Sequence, residues 1–394
     1  MDYPSIFLCL VLTWTLTHIL ISKITKTIPS NQQIRLPPGP PTLPILGNLF
    51  SLRRNPRISL TKLANKYGPL MFLQLGQVPT VIISTASMAK KALHKNDLSV
   101  SSRMVINGTR ALNHHENSLV WLSITSPQWR FLRKISNIHI FWSTKLDMSQ
   151  SLRMEKVEEL IDYVQNRSKV GRMVDIGEVA FTTTLNLLSN TFFSMDLVDH
   201  DSDLGSEFRG SISDLMDELG KPNFADYFPV LQMIDPQGIQ KQLSLRFRKM
   251  FGLFGNIIDQ RLKGKRNLRN LTYPKFFISC WRKKKERKRS RREGKKKEGI
   301  KKENASYLFR KEEKMFARFE DILFLQDMFV VGTETISITL EWAMTELLRN
   351  SNKLKKTQEE LEKIIGKGKS IEESNITRLP YLQAIVKETF RLLE

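Results

Sequence analysis

Apolar positions recur at helical spacing over most of this chain. Tyr3–Ser22 contains no Lys, Arg, Asp or Glu. Twenty helical residues span about 30 Å, one bilayer core, so residues 3–22 are expected to form a transmembrane anchor. Asp2 precedes it and Lys23 and Lys26 follow, which places the bulk of the chain in the cytosol. A cleaved signal peptide is the alternative; the absence of a basic leader and of a small-x-small site argues against it. A basic and Pro-rich linker over 23–44 ends in Leu36-Pro37-Pro38-Gly39-Pro40-Pro41-Thr42-Leu43-Pro44, stiff and non-helical because proline fixes φ and removes a donor. Leu60–Tyr67 reads as a short helix stopped by Gly68-Pro69. Leu70–Leu75 and Thr80–Ser84 read as a hairpin around Gly76–Pro79, and Ser87–Lys95 as helix. Arg103–Leu119 has no period and is expected to be a loop; its paired His114-His115 share no helix face, so they read as solvated rather than metal-binding. Gln128–Lys134, Ser151–Phe193 (broken near Gly171), Ile239–Lys263, Ser351–Gly366 and the segment after Leu379-Pro380 are helical. The fold class is mainly α with a small β-sheet region.

Phe324–Leu348 organises the rest. Its first half is apolar almost all the way round, the mark of a buried helix. Gly332-Thr333-Glu334-Thr335 interrupts it. Glycine costs about 1 kcal/mol in a helix interior, and acid and hydroxyl groups are expensive to bury without partners. Two readings account for this: a groove where a ligand presses on the backbone, or a close helix–helix crossing with Glu334 turned to water.

The formal charge of +22 is uneven, because Arg282–Lys302 alone holds 14 Lys and Arg against 3 Glu. The Arg282–Gly299 part of this run cannot bury a core and is expected to be disordered. With the flanking residues it forms a basic low-complexity insertion over 272–318. All-purine codons would write such a tract, as in a retained intron. A nucleic-acid patch is disfavoured, because an anchor and a nuclear address point to different places. The two cysteines, Cys9 and Cys280, can build neither a disulfide framework nor a cysteine-rich metal site.

Two local pairs remain. Trp129 and Arg133 are four apart and share a helix face, where an indole N–H and a guanidinium make a clamp for a carboxylate or phosphate; the alternative is an arginine stacked on its own aromatic neighbour. Glu388 and Arg391 are three apart and able to pair, which alone carries no meaning.

Taken in order, the anchor, the PPGPPTLPILGNL segment, the Trp129/Arg133 helix, the VGTET helix and Lys387–Arg391 resemble the cytochrome P-450 haem-thiolate monooxygenases, in the plant microsomal class. The likeness covers the chain outside about Thr272–Arg318. Leu112–His115, Lys221–Pro229, Ile234–Ile239 and Leu340–Leu348 look closest to the branch of geraniol-type terpenoid hydroxylases. The resemblance implies a partial haem-thiolate monooxygenase domain over 45–394, single-pass in the endoplasmic reticulum membrane with its catalytic part cytosolic. It implies haem b, NADPH delivered through NADPH–cytochrome P-450 reductase, a small lipophilic substrate and no nucleic acid. Trp129 and Arg133 would meet a haem propionate. Gly332 would lie over the haem face and leave space for oxygen. Glu334 and Thr335 would relay protons, and Glu388 and Arg391 would form a buried brace. Val331 stands where the family usually has Ala and Ile336 where Thr or Ser is usual, so both narrow or dry the groove.

The family's iron ligand is a cysteine in a Phe-x-x-Gly-type loop well beyond the Glu-x-x-Arg helix, whereas the 394 residues end three after Arg391. The fold is therefore expected to be incomplete, C-terminally truncated and without the haem-ligand cysteine, and the chain inactive as a monooxygenase. The rival is a non-catalytic, membrane-anchored remnant that binds ligand or reductase.

Overall fold

The computed structural model describes residues 36–52, 55–200, 202–263, 305–366, 368–369 and 372–393, together with Leu12, Thr13 and Thr15. Those three residues are helical and lie within the expected anchor; the rest of 3–22 is outside the described residues, as is 264–304, which holds the basic run. The main helices are α1 (Pro56–Tyr67), α2 (Pro127–Ser136), α3 (Gln150–Lys169), α4 (Ile176–Phe193), α5 (Asp203–Gly220), α6 (Ile239–Lys263), α7 (Ala305–Arg349), α8 (Ser351–Ile364) and α9 (Pro380–Leu393). Two strands, β1 (Leu70–Leu75) and β2 (Val78–Ile83), form the one sheet among the described residues. The mainly helical class with a small sheet is what the periodicity predicts.

The chain divides into two compact units, residues 1–107 with 222–239, and residues 108–221 with 240–394. In the first, β1 and β2 pair antiparallel from Leu70↔Ile83 to Leu75↔Val78. The two-residue turn Gly76-Gln77 needs a glycine because φ there is +57°. Met71 and Leu73 point from β1 into the core. The proline-rich segment is docked along this strand: Pro38 O accepts from Phe72 N at 2.9 Å. The missing side chain of Gly39 lets the backbones meet, since a Cβ there would sit 2.0 Å from Phe72 O. Asn48 locks the arrangement, its Oδ1 accepting from Gln74 N at 2.8 Å and its Nδ2 donating to Pro41 O at 3.0 Å.

In the second unit α7 runs through the core. Ile322–Arg349 is long and apolar enough to cross a membrane. Its first half is instead enclosed by protein: Leu323, Phe324, Leu325 and Phe329 are fully buried. Phe329 sits among Phe254 at 5.1 Å, Phe192 at 5.7 Å and Phe193 at 6.1 Å, measured between ring centroids. This aromatic cluster joins α4, α6 and α7, and such pairs add about 0.5–1.5 kcal/mol beyond their burial. Helix starts follow side-chain capping: Ser126 Oγ accepts from Trp129 N, Asp175 Oδ1 from Glu178 N and Ser202 Oγ from Gly205 N.

One expectation fails here. The stretch Arg103–Leu119 is not an open loop: Asn107–Glu116 folds into 3-10 turns kinked at Ala111–Asn113. His114, expected in solvent, is only 4 % exposed. Its ring stacks on Phe247 of α6, centroids 4.3 Å apart and planes 12° apart. Local polarity argues for solvent, but a tertiary stacking partner buries the imidazole.

Candidate functional site

The interrupted stretch of α7 presents several faces. Gly332 is turned toward α4: a Cβ added there would lie 2.9 Å from Leu188 Cδ1. That close approach accounts for a glycine at the position. Thr333 is buried and its hydroxyl donates to Phe329 O at 2.7 Å. Thr335 and Val331, one turn apart, face outward, Val331 being 49 % exposed in a helix whose preceding residues are buried. Thr335 Oγ1 donates to Val331 O at 2.7 Å, so its lone pairs remain on the open side. Such back-bonding recurs at Ser337 and Thr339, each reaching the carbonyl four residues earlier, and bends helices slightly.

Glu334 is half-buried. Burial raises its carboxyl above the usual range; Arg209 opposes this, and Asp217 and Glu341 reinforce it. Arg209 lies 3.7 Å from Asp175 and 4.0 Å from Glu341. Glu334 thus belongs to a charged cluster with α5, while Thr335 belongs to the open stripe.

On α2, Pro127 at the first turn and the Ser126 cap set the helix start. Trp129 is half-buried and Arg133 exposed. Arg133 makes no ion pair among the described residues, and its guanidinium lies 5.9 Å from the Phe141 ring. A free guanidinium of this kind suits an anionic group. Glu388 and Arg391 do pair, through two hydrogen bonds of 2.7 Å. The pair is not buried, however: the side chains are 50 % and 66 % exposed, because no described element covers that face of α9. The expectation of a buried brace is corrected to a surface pair.

Sequence reasoning missed the polar cluster one turn before Val331. Asp327 is buried on α7 and accepts from Ser118 Oγ at 3.0 Å and from Leu119 N at 2.7 Å. Its carboxyl is pushed up to about 7 by burial, against the hydrogen bonds from Ser118, Leu119 and Val120. His114 Nε2 lies 3.8 Å away, and burial, then His115, lowers its imidazole to about 4. An aspartate inside an apolar helical run, within a few residues of an acid and a glycine, was the available sign. Elsewhere, a surface pocket of about 220 Å³ between α5 and α6 is lined by Ser211, Asp214, Gln242, Arg246 and Lys249. Its charges pair internally, Arg246 with Asp214 and Lys249 with Glu207.

Among the described residues no cluster of His, Cys, Asp or Glu is arranged to hold a metal ion. The apolar Val331–Thr335 stripe and the Arg133 guanidinium are of the chemistry that would suit a haem ring and a propionate, and both cysteines, Cys9 and Cys280, lie outside the described residues.

Comparison with known proteins matches residues 37–394 to the family described as Cytochrome P450. Geraniol 8-hydroxylase of Catharanthus roseus is 43 % identical over 395 residues, covering 100 % of this chain and 73 % of the relative. Drimenol monooxygenase of Persicaria hydropiper is 39 % identical, covering 100 % of the chain and 71 % of the relative. Inactive cytochrome P450 76AD1 of Beta vulgaris is 38 % identical, covering 100 % of the chain and 87 % of the relative.

Proposed function

The chain belongs to the cytochrome P450 family, and from that premise we propose that it serves the oxygenation of a small lipophilic, terpenoid-like molecule, with electrons from NADPH passed through a reductase. The observation that carries this is the Val331–Thr335 stripe, an open, mostly dry face that directly follows the enclosed Ile322–Val330 stretch of the same helix. Relatives named geraniol 8-hydroxylase and drimenol monooxygenase point to the substrate class. Among the described residues no charged anchor for substrate is evident on the stripe, as an apolar ligand requires.

A bound haem supplies oxygen activation. Of this chain's own residues, Trp129 and Arg133 hold an anionic edge of that group. Thr335, whose hydroxyl donates to Val331 O, can accept a hydrogen bond on the open side, and rotation of the hydroxyl away from Val331 O lets it give up its own proton there as it takes the incoming one. Glu334, whose carboxyl burial raises above its usual range, stands next to it in the chain as the acid of the relay. Gly332 sets the depth of the groove by letting α4 approach, and Val331 and Ile336 exclude water from it. Residues 3–22 tether the protein to the endoplasmic reticulum membrane as a single span.

The second reading is a non-catalytic, membrane-anchored protein that binds ligand or reductase. The carbon monoxide difference spectrum separates the two. The polypeptide is expressed in microsomes with a plant reductase, alone and fused to the C-terminal part of geraniol 8-hydroxylase of Catharanthus roseus. A thiolate-type spectrum from the fusion alone, with conversion of geraniol, supports the oxygenase reading and a ligand supplied from outside these residues. The same spectrum from the 394 residues alone overturns their expected inactivity. No spectrum from the fusion overturns the oxygenase reading.

A further inference from the structure

We infer that Asp327 is a positioning residue: its buried carboxyl ties Ser118 and Leu119 to α7, and through Asn117 and Gln128 this short segment is a strut that spaces α2 from the open stripe. Asp327 accepts from Ser118 Oγ at 3.0 Å and Leu119 N at 2.7 Å. One residue earlier, Asn117 Oδ1 accepts from Gln128 Nε2 at 3.1 Å. Gln128 lies in the first turn of α2, next to Trp129. At 1.5 Å rise per residue, Asp327 precedes Val331 by about 6 Å and Thr335 by about 12 Å along the helix axis. Four side chains, Asp327, Ser118, Asn117 and Gln128, therefore connect the helix that carries the propionate clamp to the helix that carries the groove.

The strut is built in a dry place. Ser118 is fully buried, Asp327 is 5 % exposed and His114 is 4 % exposed. The groups that face the carboxyl are few. From the 3-10 segment comes His114 Nε2 at 3.8 Å, with His115 behind it. From α6 comes the apolar ring of Phe247, stacked on His114. On α7 the neighbour is the buried amide Gln326. No lysine or arginine pairs with Asp327 among the described residues. Nothing compensates a negative charge there except the hydrogen bonds of the strut itself, which is why burial dominates.

Ionisation should therefore loosen the strut. The closed form binds a proton up to about pH 7, while an opened, hydrated carboxyl releases it near its ordinary value of about 4. Between those limits the closed state holds more protons than the open one, so closure weakens as pH rises, about tenfold per pH unit, and levels off above the folded value. The role given to the strut rests on the oxygenase reading above, whereas its existence does not. The carbon monoxide spectrum tests the first and the experiment below the second, so their failures are distinguishable.

The test is hydrogen–deuterium exchange on the full 394-residue chain in detergent micelles, from pH 5 to 8. Protection of residues 117–122 is normalised to that of the hairpin 70–83, which removes the intrinsic pH dependence of exchange. Expected is a fall of about tenfold per pH unit between pH 5 and 7, abolished in Asp327→Asn. Ser118→Ala, a milder change, should lower protection of the same residues while keeping the pH slope. Gln128→Leu should raise exchange at the start of α2 alone. A normalised protection independent of pH in the unaltered chain, or a slope that survives in Asp327→Asn, overturns the proposal. Should Asp327→Asn not fold, unchanged protection in Ser118→Ala overturns it equally.

Discussion

Phe329→Ala should be among the most damaging single substitutions in the second unit. Phe329 is fully buried and meets three other rings, Phe192, Phe193 and Phe254, with centroids between 5.1 and 6.1 Å away. Truncating a buried Phe to Ala removes its transfer energy and leaves a cavity, together about 3–5 kcal/mol. Three aromatic partners on two other helices cannot all collapse into the gap, which places the cost near about 4 kcal/mol, the middle of that range. Phe390 on α9 is the control: it is the same residue type on a helix, but 51 % exposed. Phe390→Ala should cost under about 0.5 kcal/mol, as surface changes do. The assay is urea unfolding followed by tryptophan fluorescence, since Trp121, Trp129, Trp142 and Trp342 all lie in the second unit. With a slope of about 3 kcal/mol/M, 4 kcal/mol moves the midpoint by roughly 1.3 M. A shift below about 0.3 M for Phe329→Ala, or equal shifts for the two variants, would refute the claim that this cluster is the core of the unit.

Two other substitutions test the site residues directly. Gly332→Ala sets about 1 kcal/mol of gained helix propensity against overpacking of about 1–3 kcal/mol from the 2.9 Å approach to Leu188 Cδ1, so a net loss of about 1 kcal/mol is expected, reversed when Leu188→Ala is added; thermal unfolding of the four members of this cycle reads the coupling. Arg391→Ala should leave the urea midpoint unmoved, because both partners of the Glu388–Arg391 pair are exposed to solvent, and a clear shift in that midpoint would mean that this face is covered.

Local pattern was most informative where elements are long and periodic. Ile239–Lys263 coincides with its helix, the break near Gly171 separates α3 from α4, and the hairpin turn falls inside Gly76–Pro79. Each follows from a spacing or a breaker acting over a few residues. The Gly332–Thr335 interruption was visible for the same reason, as polar and flexible residues in a dry helical run. Its two readings were not separable locally, because they differ only in what lies opposite. The structure sets Leu188 opposite Gly332 and leaves Val331 and Thr335 uncovered by any described element.

His114 and Asp327 mark the boundary most clearly. Sequence by itself determined that a long apolar helix carries an aspartate and a glycine-centred polar break, that helices dominate, and that the chain resembles one family outside about Thr272–Arg318. It could not determine that Ser118 and Leu119, more than two hundred positions from Asp327, supply that carboxylate's partners, nor that Phe247 buries His114. Burial and partnership are sums over neighbours brought together by tertiary packing. Periodicity reports only which face of an element is dry, whereas what meets that face, and so which acid keeps its proton, is decided when the helices close on one another.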